Sequence, residues 1–219
     1  MADEVENSLE WLAARFPLST VQAEKLEQFV DALLRWQSRI NLISPDSVRS
    51  LWQRHIYDSL QLAQFIEKAP GICVDLGSGG GFPAIPLAIL GAEWPGFAMH
   101  MVESNRKKAV FLAEMLRLSG AAGKVHNRRL EEFGADEISS AGREGVAYIT
   151  ARGFAALPKL LDFSAGLIGK QTQYLLLKGQ DVEEELTAAT KYWRMKIVKH
   201  PSISDPTGCV LQLTEISRA

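Results

Sequence analysis

The sequence predicts an α/β fold, in which a mostly parallel sheet with an antiparallel end is covered by helices and preceded by a helical segment. Three observations lead to this fold class. The first third carries apolar residues at helical spacing, short apolar runs alternate with helix-length spacers from residue 71 onward, and the first run leads into a glycine-rich turn. Such alternation builds parallel strands that are buried on both faces of the sheet.

Two helices are predicted in the first third of the chain. Ser19 and Gln22 fit a capping box, and the helix after them has an apolar face made of Leu26, Phe29, Val30, Leu33 and Leu34. Residues 41–45 end this helix, and a second one begins near Asp46 or Ser47. Its apolar face consists of Val48, Leu51, Trp52, His55, Ile56 and Leu60. We therefore divide the chain into an N-terminal helical extension, residues 1–66, and a core, residues 67–219, packed as one compact unit.

Seven apolar runs predict the strands. They cover residues 72–76, 97–102, 125–126, 146–149, 174–177, 196–198 and 209–213. Helices are predicted from Pro83, over 107–118 and over 157–167. Because no clear helix separates the last two runs, we expect them to form an antiparallel, hairpin-like end of the sheet.

The composition is that of an ordinary globular protein, with 219 residues of which 47% are hydrophobic and 23% charged. No window approaches the ~18 apolar residues of a membrane-spanning helix, and residues 1–6 lack the pattern of a signal peptide. We therefore expect a cytoplasmic protein without membrane contact. Cys73 and Cys209 lie far apart and the four histidines are scattered, so neither a disulfide framework nor a metal site is expected.

The charges are unevenly placed, although the net charge is only −2. Basic residues crowd one central stretch, at Arg106, Lys107, Lys108, Arg117, Lys124, Arg128 and Arg129. An acidic run follows later, at Asp181, Glu183, Glu184 and Glu185. The net charge argues against a bulk polyanion binder. The basic stretch has two interpretations, a solvated helix face or a local patch that tracks a nucleic-acid backbone.

The strongest local signal is the glycine loop, which we define as Gly77-Ser78-Gly79-Gly80-Gly81-Phe82. Glycines let the backbone turn sharply and approach a ligand closely. A dinucleotide fold needs G-x-G-x-x-G, but Phe82 stands where the last glycine should be, and Asp75, two residues before the loop, would repel a diphosphate. No Gly-Lys-Ser/Thr follows, which excludes a P-loop. A carboxylate here suits a ligand with a cationic end, such as S-adenosylmethionine; a glycine turn without a ligand is the alternative.

Two acidic positions extend this predicted cofactor site. Glu103 ends the second strand, where a carboxylate can accept hydrogen bonds from a ribose diol. Leu130 and Glu131 follow the third strand, where an apolar side chain can cover an adenine ring. A plain surface glutamate and an ordinary helix start with acids in its first turn are the respective alternatives.

Three basic or titratable residues are candidates for the rest of the site. His55 lies on the apolar face of the second helix, as either a structural histidine or a pocket residue between the helices and the glycine loop. Arg152 ends the fourth strand at the edge where ligands bind, or forms a salt bridge there. Lys178 ends the fifth strand, and a phosphate or guanine contact is our hypothesis for it.

The motifs together resemble one family. In order they are Arg54-His55-x-x-Asp58-Ser59, the stretch from Asp75 to Leu87, Glu103-Ser104-x-x-Lys107-Lys108, Arg129-x-Glu131-Glu132, Ala151-Arg152 and Leu177-Lys178-Gly179. This series, over roughly residues 20 to 200, is similar to the bacterial small-subunit rRNA guanine-N7 methyltransferases, the glucose-inhibited division protein B (RsmG) family. The resemblance implies a Rossmann-like class I S-adenosylmethionine-dependent methyltransferase, acting on N7 of one guanosine, position 527 in the 530 loop of 16S rRNA.

The resemblance also implies roles for single residues. Cofactor contacts are implied for Gly77, Phe82, Leu130, Glu131 and Arg152. The glycine loop and the acid at the end of the second strand add Asp75, Ser78, Gly79 and Glu103 as predicted cofactor residues. The side facing the RNA is implied to hold Arg129, Arg152 and Lys178, and we add His55 as a hypothesis. The chain departs from the family pattern at Ala84, at Gly153 and before the final strand, where Pro206-Thr207-Gly208-Cys209 replaces the usual arginine.

The chemistry predicted for the site needs no dedicated catalytic residue. Cys73 and Cys209 are expected to be small buried hydrophobic residues, so a cysteine nucleophile is not available, and no Asn/Asp-Pro-Pro-aromatic turn for exocyclic amines occurs. N7 of guanine exposes a lone pair, so proximity and in-line orientation suffice. We expect a monomer that acts on 16S rRNA or the 30S subunit. A small-molecule methyltransferase and a catalytically idle rRNA-binding assembly protein are the alternatives, and Asp75 disfavours a nicotinamide dehydrogenase.

Overall fold

A computed structural model describes residues 7–69, 71–138 and 146–219, so the first six residues of the predicted extension lie outside it. Seven strands lie within these ranges: β1 Gly71–Leu76, β2 Phe97–Val102, β3 Ala122–His126, β4 Tyr148–Arg152, β5 Gln173–Lys178, β6 Trp193–Pro201 and β7 Cys209–Arg218. They form one sheet in the order β3-β2-β1-β4-β5-β7-β6. Strands β1 to β5 are parallel, whereas β7 runs antiparallel to both β5 and β6. The predicted sheet with its antiparallel end is confirmed.

The α-helices are α1 Leu9–Ala13, α2 Thr20–Gln37, α3 Asp58–Leu60, α4 Ala84–Gly91, α5 Arg106–Ser119, α6 Leu157–Phe163 and α7 Val182–Ala189. The capping box expected at Ser19 begins α2. Helix α6 ends at Phe163, short of its predicted end, and a 3₁₀ turn, Ala165–Leu167, follows. Helix α7 was not predicted: its first turn is the acidic run, which the helix dipole favours there.

The segment predicted as the second helix is helical but irregular. It passes from a 3₁₀ helix, Pro45–Ser50, to a π-helix, Trp52–Tyr57, then through α3 into a second 3₁₀ helix, Gln61–Phe65. The Asp58 N–H donates to the Gln53 carbonyl, five residues earlier, which is the bond of a π turn. This wide turn carries Arg54 and His55, and both line the same cavity.

The sheet has a hydrophobic core on each face. On one face the helices before β1 pack together with α4 and α5, and Leu26, Phe29 and Phe111 are fully buried there. On the other face α6 and α7 cover β4 and β5. The division of the chain at residue 66 stays a prediction. Among the helices of the described ranges, none is both long and apolar enough to cross a bilayer.

Candidate active site

Two neighbouring cavities open at the carboxyl ends of the strands. The first has a volume of about 670 Å³ and lies over the ends of β1 to β4; the second, of about 450 Å³, lies between β4, β5 and the loop joining β6 to β7. Their shared wall is Arg54, Arg152, Gly153 and Phe154. The strand order reverses between β1 and β4, and ligands of open α/β sheets bind at that switch point.

The glycine loop forms the floor of the first cavity, in space that only glycine fits. The N–H groups of Gly77 and Ser78 both donate to the Val102 carbonyl, at 2.9 and 3.1 Å. Gly77 has a φ of +69°, and a Cβ there would lie 2.0 Å from the Phe154 ring. At Gly80 a Cβ would lie 2.7 Å from the Leu42 carbonyl oxygen. The loop is therefore held between Phe154 and the turn that follows α2.

Asp75 lies beneath the glycine loop and is 1% exposed. Its Oδ1 accepts from the Thr150 hydroxyl at 2.7 Å, while Oδ2 has no partner among the described residues. Burial raises the pKa of this carboxyl to about 7, with Glu103 adding to the rise. A buried carboxylate oxygen without a partner fits a ligand that brings positive charge to the loop. Asp75 is not part of the cavity lining, so its direct contact with the cofactor stays a prediction.

Glu103 and residues 129–131 form the far end of the first cavity. Glu103 is buried, and its Oε2 and Oε1 accept the N–H groups of Gly79 and Asn105, at 2.9 and 2.7 Å. Each carboxylate oxygen keeps a further lone pair for a diol. Leu130 is buried, whereas Arg129 and Glu131 are exposed, and all three line the cavity. The residues predicted to bind adenine, the ribose and the rest of the cofactor therefore lie side by side, after the ends of β3, β2 and β1 in that order.

His55 is a buried, neutral side chain at the wall nearest β4. Its ring lies against Phe82, with 4.8 Å between ring centroids, and its Nδ1 is hydrogen-bonded to the Arg152 guanidinium. A guanidinium only donates, so Nδ1 accepts and the proton resides on Nε2. Burial, together with the charges of Arg152 and Arg54, lowers the pKa of His55 to about 3. The Nε2–H has no partner among the described residues.

Arg152 connects the two cavities. Beyond His55, it donates to the Arg54 carbonyl at 3.1 Å and pairs with the Asp58 carboxylate at 3.4 Å. Asp58 is held in turn by Gln61 and by Ser204 of the loop between β6 and β7. Arg152 therefore forms a salt bridge and also lines both cavities, so the two predicted roles do not exclude each other.

The four candidate RNA residues divide between the two cavities. His55 and Arg129 line the first, Lys178 lines the second and Arg152 lines both. The Lys178 ammonium is paired with Glu185 at 2.6 Å and also donates to the Ala155 carbonyl at 3.2 Å. Lys178 is therefore not a free cation, as a simple phosphate contact would require.

Several site residues escaped the sequence analysis. Leu42, Ile43 and Ser44 line the first cavity, although the sequence marked them only as the end of a helix. Phe154 was not singled out, although its position two residues after the end of β4 was an available signal. Glu185 was noted only as part of the acidic run. Cys73 is buried as expected, but Cys209 is only partly buried and lines the second cavity. Burial raises the pKa of its thiol, which keeps the sulfur protonated and weakly nucleophilic.

We expect Asp75→Asn to stabilise the cofactor-free protein increasingly as the pH rises from about 4 to about 7. The folded-state pKa of about 7 lies above the ordinary value of 3.8. In this window the folded chain keeps a proton that the unfolded chain has lost, so the free energy of unfolding falls with rising pH. Asparagine does not ionise, so the variant does not lose stability in this way. Denaturant unfolding of both proteins between pH 4 and 7 measures the difference in their free energies of unfolding. A difference that does not change with pH would contradict the raised pKa.

The fold is of the class seen in Rossmann-like S-adenosylmethionine-dependent methyltransferases. The O-methyltransferase from Bacillus cereus, solved in complex with SAH, superimposes with a TM-score of 0.59 at 11% identity, covering 94% of this chain and 96% of its own. A SAM-dependent O-methyltransferase from Thermotoga maritima gives 0.57 at 13% identity, covering 87% and 72%. At these identities the likeness concerns the fold.

Sequence comparison then gives the family. The family model GidB, rRNA small subunit methyltransferase G, matches residues 22–209. Ribosomal RNA small subunit methyltransferase G of Bradyrhizobium sp. strain BTAi1 is 43% identical, covering 92% of this chain and 88% of its own; that of Paramagnetospirillum magneticum is 39% identical, covering 95% and 96%. The chain belongs to the rRNA small subunit methyltransferase G family. This confirms the resemblance, the rRNA methyltransferase activity and S-adenosylmethionine as the methyl donor.

Proposed function

We propose that this protein methylates N7 of one guanosine in the 530 loop of 16S rRNA. The N7 lone pair forms the new bond to the methyl carbon while the carbon–sulfur bond breaks, and the electron pair stays on sulfur. The purine gains the positive charge that the sulfonium loses. No proton has to leave N7, so the reaction requires orientation rather than a general base.

The observation that carries this proposal is the state of the titratable groups where the two cavities meet. His55 has its Nδ1 occupied by Arg152, and its pKa of about 3 reflects how poorly it takes a proton. Asp58 is committed to Arg152, Gln61 and Ser204. Neither group is placed to remove a proton from an incoming amine or hydroxyl. This favours a nucleophile that carries its own lone pair, as N7 of guanine does.

The charges around the first cavity favour RNA over a small substrate. Arg106, Lys107 and Arg129 are exposed and form no ion pair with another described residue, while Arg128 is paired with Glu137. Such cations contact phosphates without reading sequence. We further propose that the protein acts in the cytoplasm as a monomer, on 16S rRNA or the 30S subunit and without a metal. Within the described ranges, no three His, Cys, Asp or Glu side chains form a metal cluster.

Mapping of 16S rRNA by mass spectrometry, in cells with and without this protein, tests the proposed target. We expect one N7-methylguanosine in the 530 loop to disappear when the protein is lost and to return with the intact gene. Methyl transfer to deproteinised 16S rRNA and to 30S particles then identifies the substrate. Transfer to neither, despite cofactor binding, would favour the assembly protein, and a methyl group elsewhere would overturn the target.

Methyl transfer should weaken steeply with salt if the basic stretch binds the rRNA backbone. With three or four phosphate contacts, the logarithm of kcat/KM is expected to fall against the logarithm of salt concentration with a slope of about −2 to −4. Lys107→Gln should reduce that slope by about one. Lys191→Gln, an exposed lysine at the opposite end of the sheet, is the matched control. A slope near zero would contradict backbone binding.

A further inference from the structure

The second cavity contains an ion pair that the methyl-transfer chemistry leaves unexplained. Lys178 at the end of β5 meets Glu185 in the first turn of α7, with Nζ and Oε2 2.6 Å apart. The side chains are 11% and 22% exposed. Glu185 Oε2 also accepts the Leu157 N–H at 2.6 Å, which fixes the carboxylate at the start of α6. The pair is therefore held rigidly against the wall of the cavity.

Each member of the pair keeps one hydrogen-bonding position open. The Lys178 ammonium has three N–H groups, of which Glu185 and the Ala155 carbonyl occupy two. On Glu185, Oε2 has two partners, whereas Oε1 accepts no hydrogen bond from any other described residue. Both side chains line the cavity. The second cavity thus offers one open donor beside one open acceptor.

A phosphate is a poor ligand for this pair. The Glu185 carboxylate already neutralises Lys178, and it would repel a second anion at close range. The other two carboxylates of the cavity are not paired with Lys178. Asp58 forms its salt bridge with Arg152, and Asp205 accepts two hydrogen bonds from Thr207. A neutral base edge that presents an acceptor next to a donor satisfies both open positions.

We propose that Lys178 and Glu185 read the target base, with Lys178 donating to O6 of guanine and Glu185 accepting from N1–H. This inference rests on the proposed function. In guanine O6 lies between N7 and N1–H, so a base with N7 at the shared wall near Arg152 extends O6 and N1–H into the second cavity. Adenine presents the reverse order, an N6 donor and an N1 acceptor, and both contacts would be mismatched. The pair is a specificity determinant for guanine over adenine.

A cycle of enzyme and substrate changes tests the pair directly. Glu185→Gln is combined with 2-aminopurine at the target position of ligated 16S rRNA assembled into 30S particles. This analogue keeps N7 and the 2-amino group but lacks O6 and N1–H. For the wild type we expect kcat/KM to be about ten- to a hundred-fold lower on the analogue than on guanine. For Glu185→Gln we expect a loss on guanine and a further loss on the analogue that is clearly smaller than that of the wild type, because only the Lys178–O6 contact is left to lose.

Glu184→Gln is the matched control, because it removes a charge from the same helix turn at an exposed position. It should behave as the wild type on both bases. Calorimetric binding of S-adenosylhomocysteine should be unchanged in both variants, which separates base reading from damage to the first cavity. If Glu185→Gln fails to fold, Lys178→Met replaces it. This variant removes the proposed donor to O6, and its kcat/KM is compared with that of the wild type on the same two bases.

Two results would overturn the inference, and they differ from each other. If the wild type methylates guanine but its loss on the analogue is fully additive with the variant's loss, base reading by this pair is wrong while the proposed function stands. If the wild type methylates no 16S guanosine, both fall together. A coupled, non-additive loss that is absent in Glu184→Gln supports the pair as the base-reading element.

Discussion

Gly77→Ala is expected to weaken S-adenosylmethionine binding by about ten- to a hundred-fold and to remove most methyl transfer. An alanine there must hold a φ of +69°, at about 1–2 kcal/mol. Its Cβ would also lie 2.0 Å from the Phe154 ring, which must swing away. Phe154 lines both cavities, so its displacement alters the shared wall as well as the floor of the first cavity. Calorimetric titration with the cofactor measures the effect.

Gly120→Ala is the control for the cost of a positive φ alone, without a steric clash. Gly120 ends α5 with a φ of +75°, and a Cβ there would meet only the flexible end of Lys25, at 3.0 Å. We expect a loss of stability of about 1–2 kcal/mol, smaller than that of Gly77→Ala, and unchanged cofactor affinity. Equal affinities for both variants and the wild type would show that the close fit between Gly77 and Phe154 does not matter for binding.

Arg152→Ala is expected to cost about 2–4 kcal/mol of unfolding free energy and to abolish activity. Removing the guanidinium leaves the Asp58 carboxylate, 16% exposed, without its cation, and His55 without its donor. Burial already raises the pKa of Asp58, and the hydrogen bond from Ser204 and the charge of Arg152 oppose that rise, so the pKa rises further without the guanidinium. The destabilisation should therefore increase with pH as Asp58 ionises. Denaturant unfolding between pH 5 and 8 measures both the size and the trend.

Arg152→Lys separates charge from geometry in the same cluster. A lysine ammonium cannot reproduce the planar contacts to His55, the Arg54 carbonyl and Asp58 together. We expect it to recover part of the stability but little of the activity. Arg194→Ala, at an exposed position on β6, should change neither property. Full activity of Arg152→Lys would refute the idea that the guanidinium positions the shared wall.

The sheet was predictable because its strands are short apolar runs, and local pattern is sufficient to find such elements. The glycine loop was equally visible, since consecutive glycines have few uses away from a ligand. Local pattern could not find contacts made between distant parts of the chain. His55 and Arg152 are 97 residues apart, and nothing near either residue indicates the other.

Charge was the weakest guide to the site. Glu185 belongs to an acidic run that looks like a solvated surface, yet the start of α7 directs this carboxylate to Lys178. Only the fold distinguishes it from Glu184, its exposed neighbour. The π turn at Arg54 and His55 could not be predicted either. It differs from an α-helical turn only in that the N–H group bonds to the carbonyl five residues earlier instead of four, and no sequence pattern distinguishes the two.

The near-contact between Leu42 and Gly80 restricts how this protein can be recombined. The turn carrying Leu42 precedes the sheet by almost thirty residues, yet its carbonyl leaves no room for a methyl group on the loop below. Grafts of the leading helices from one relative onto the sheet of another must therefore keep glycine at position 80 wherever the grafted turn places its carbonyl as Leu42 does. Chimeras that join before residue 42 keep the pair together, whereas junctions between these two positions separate it.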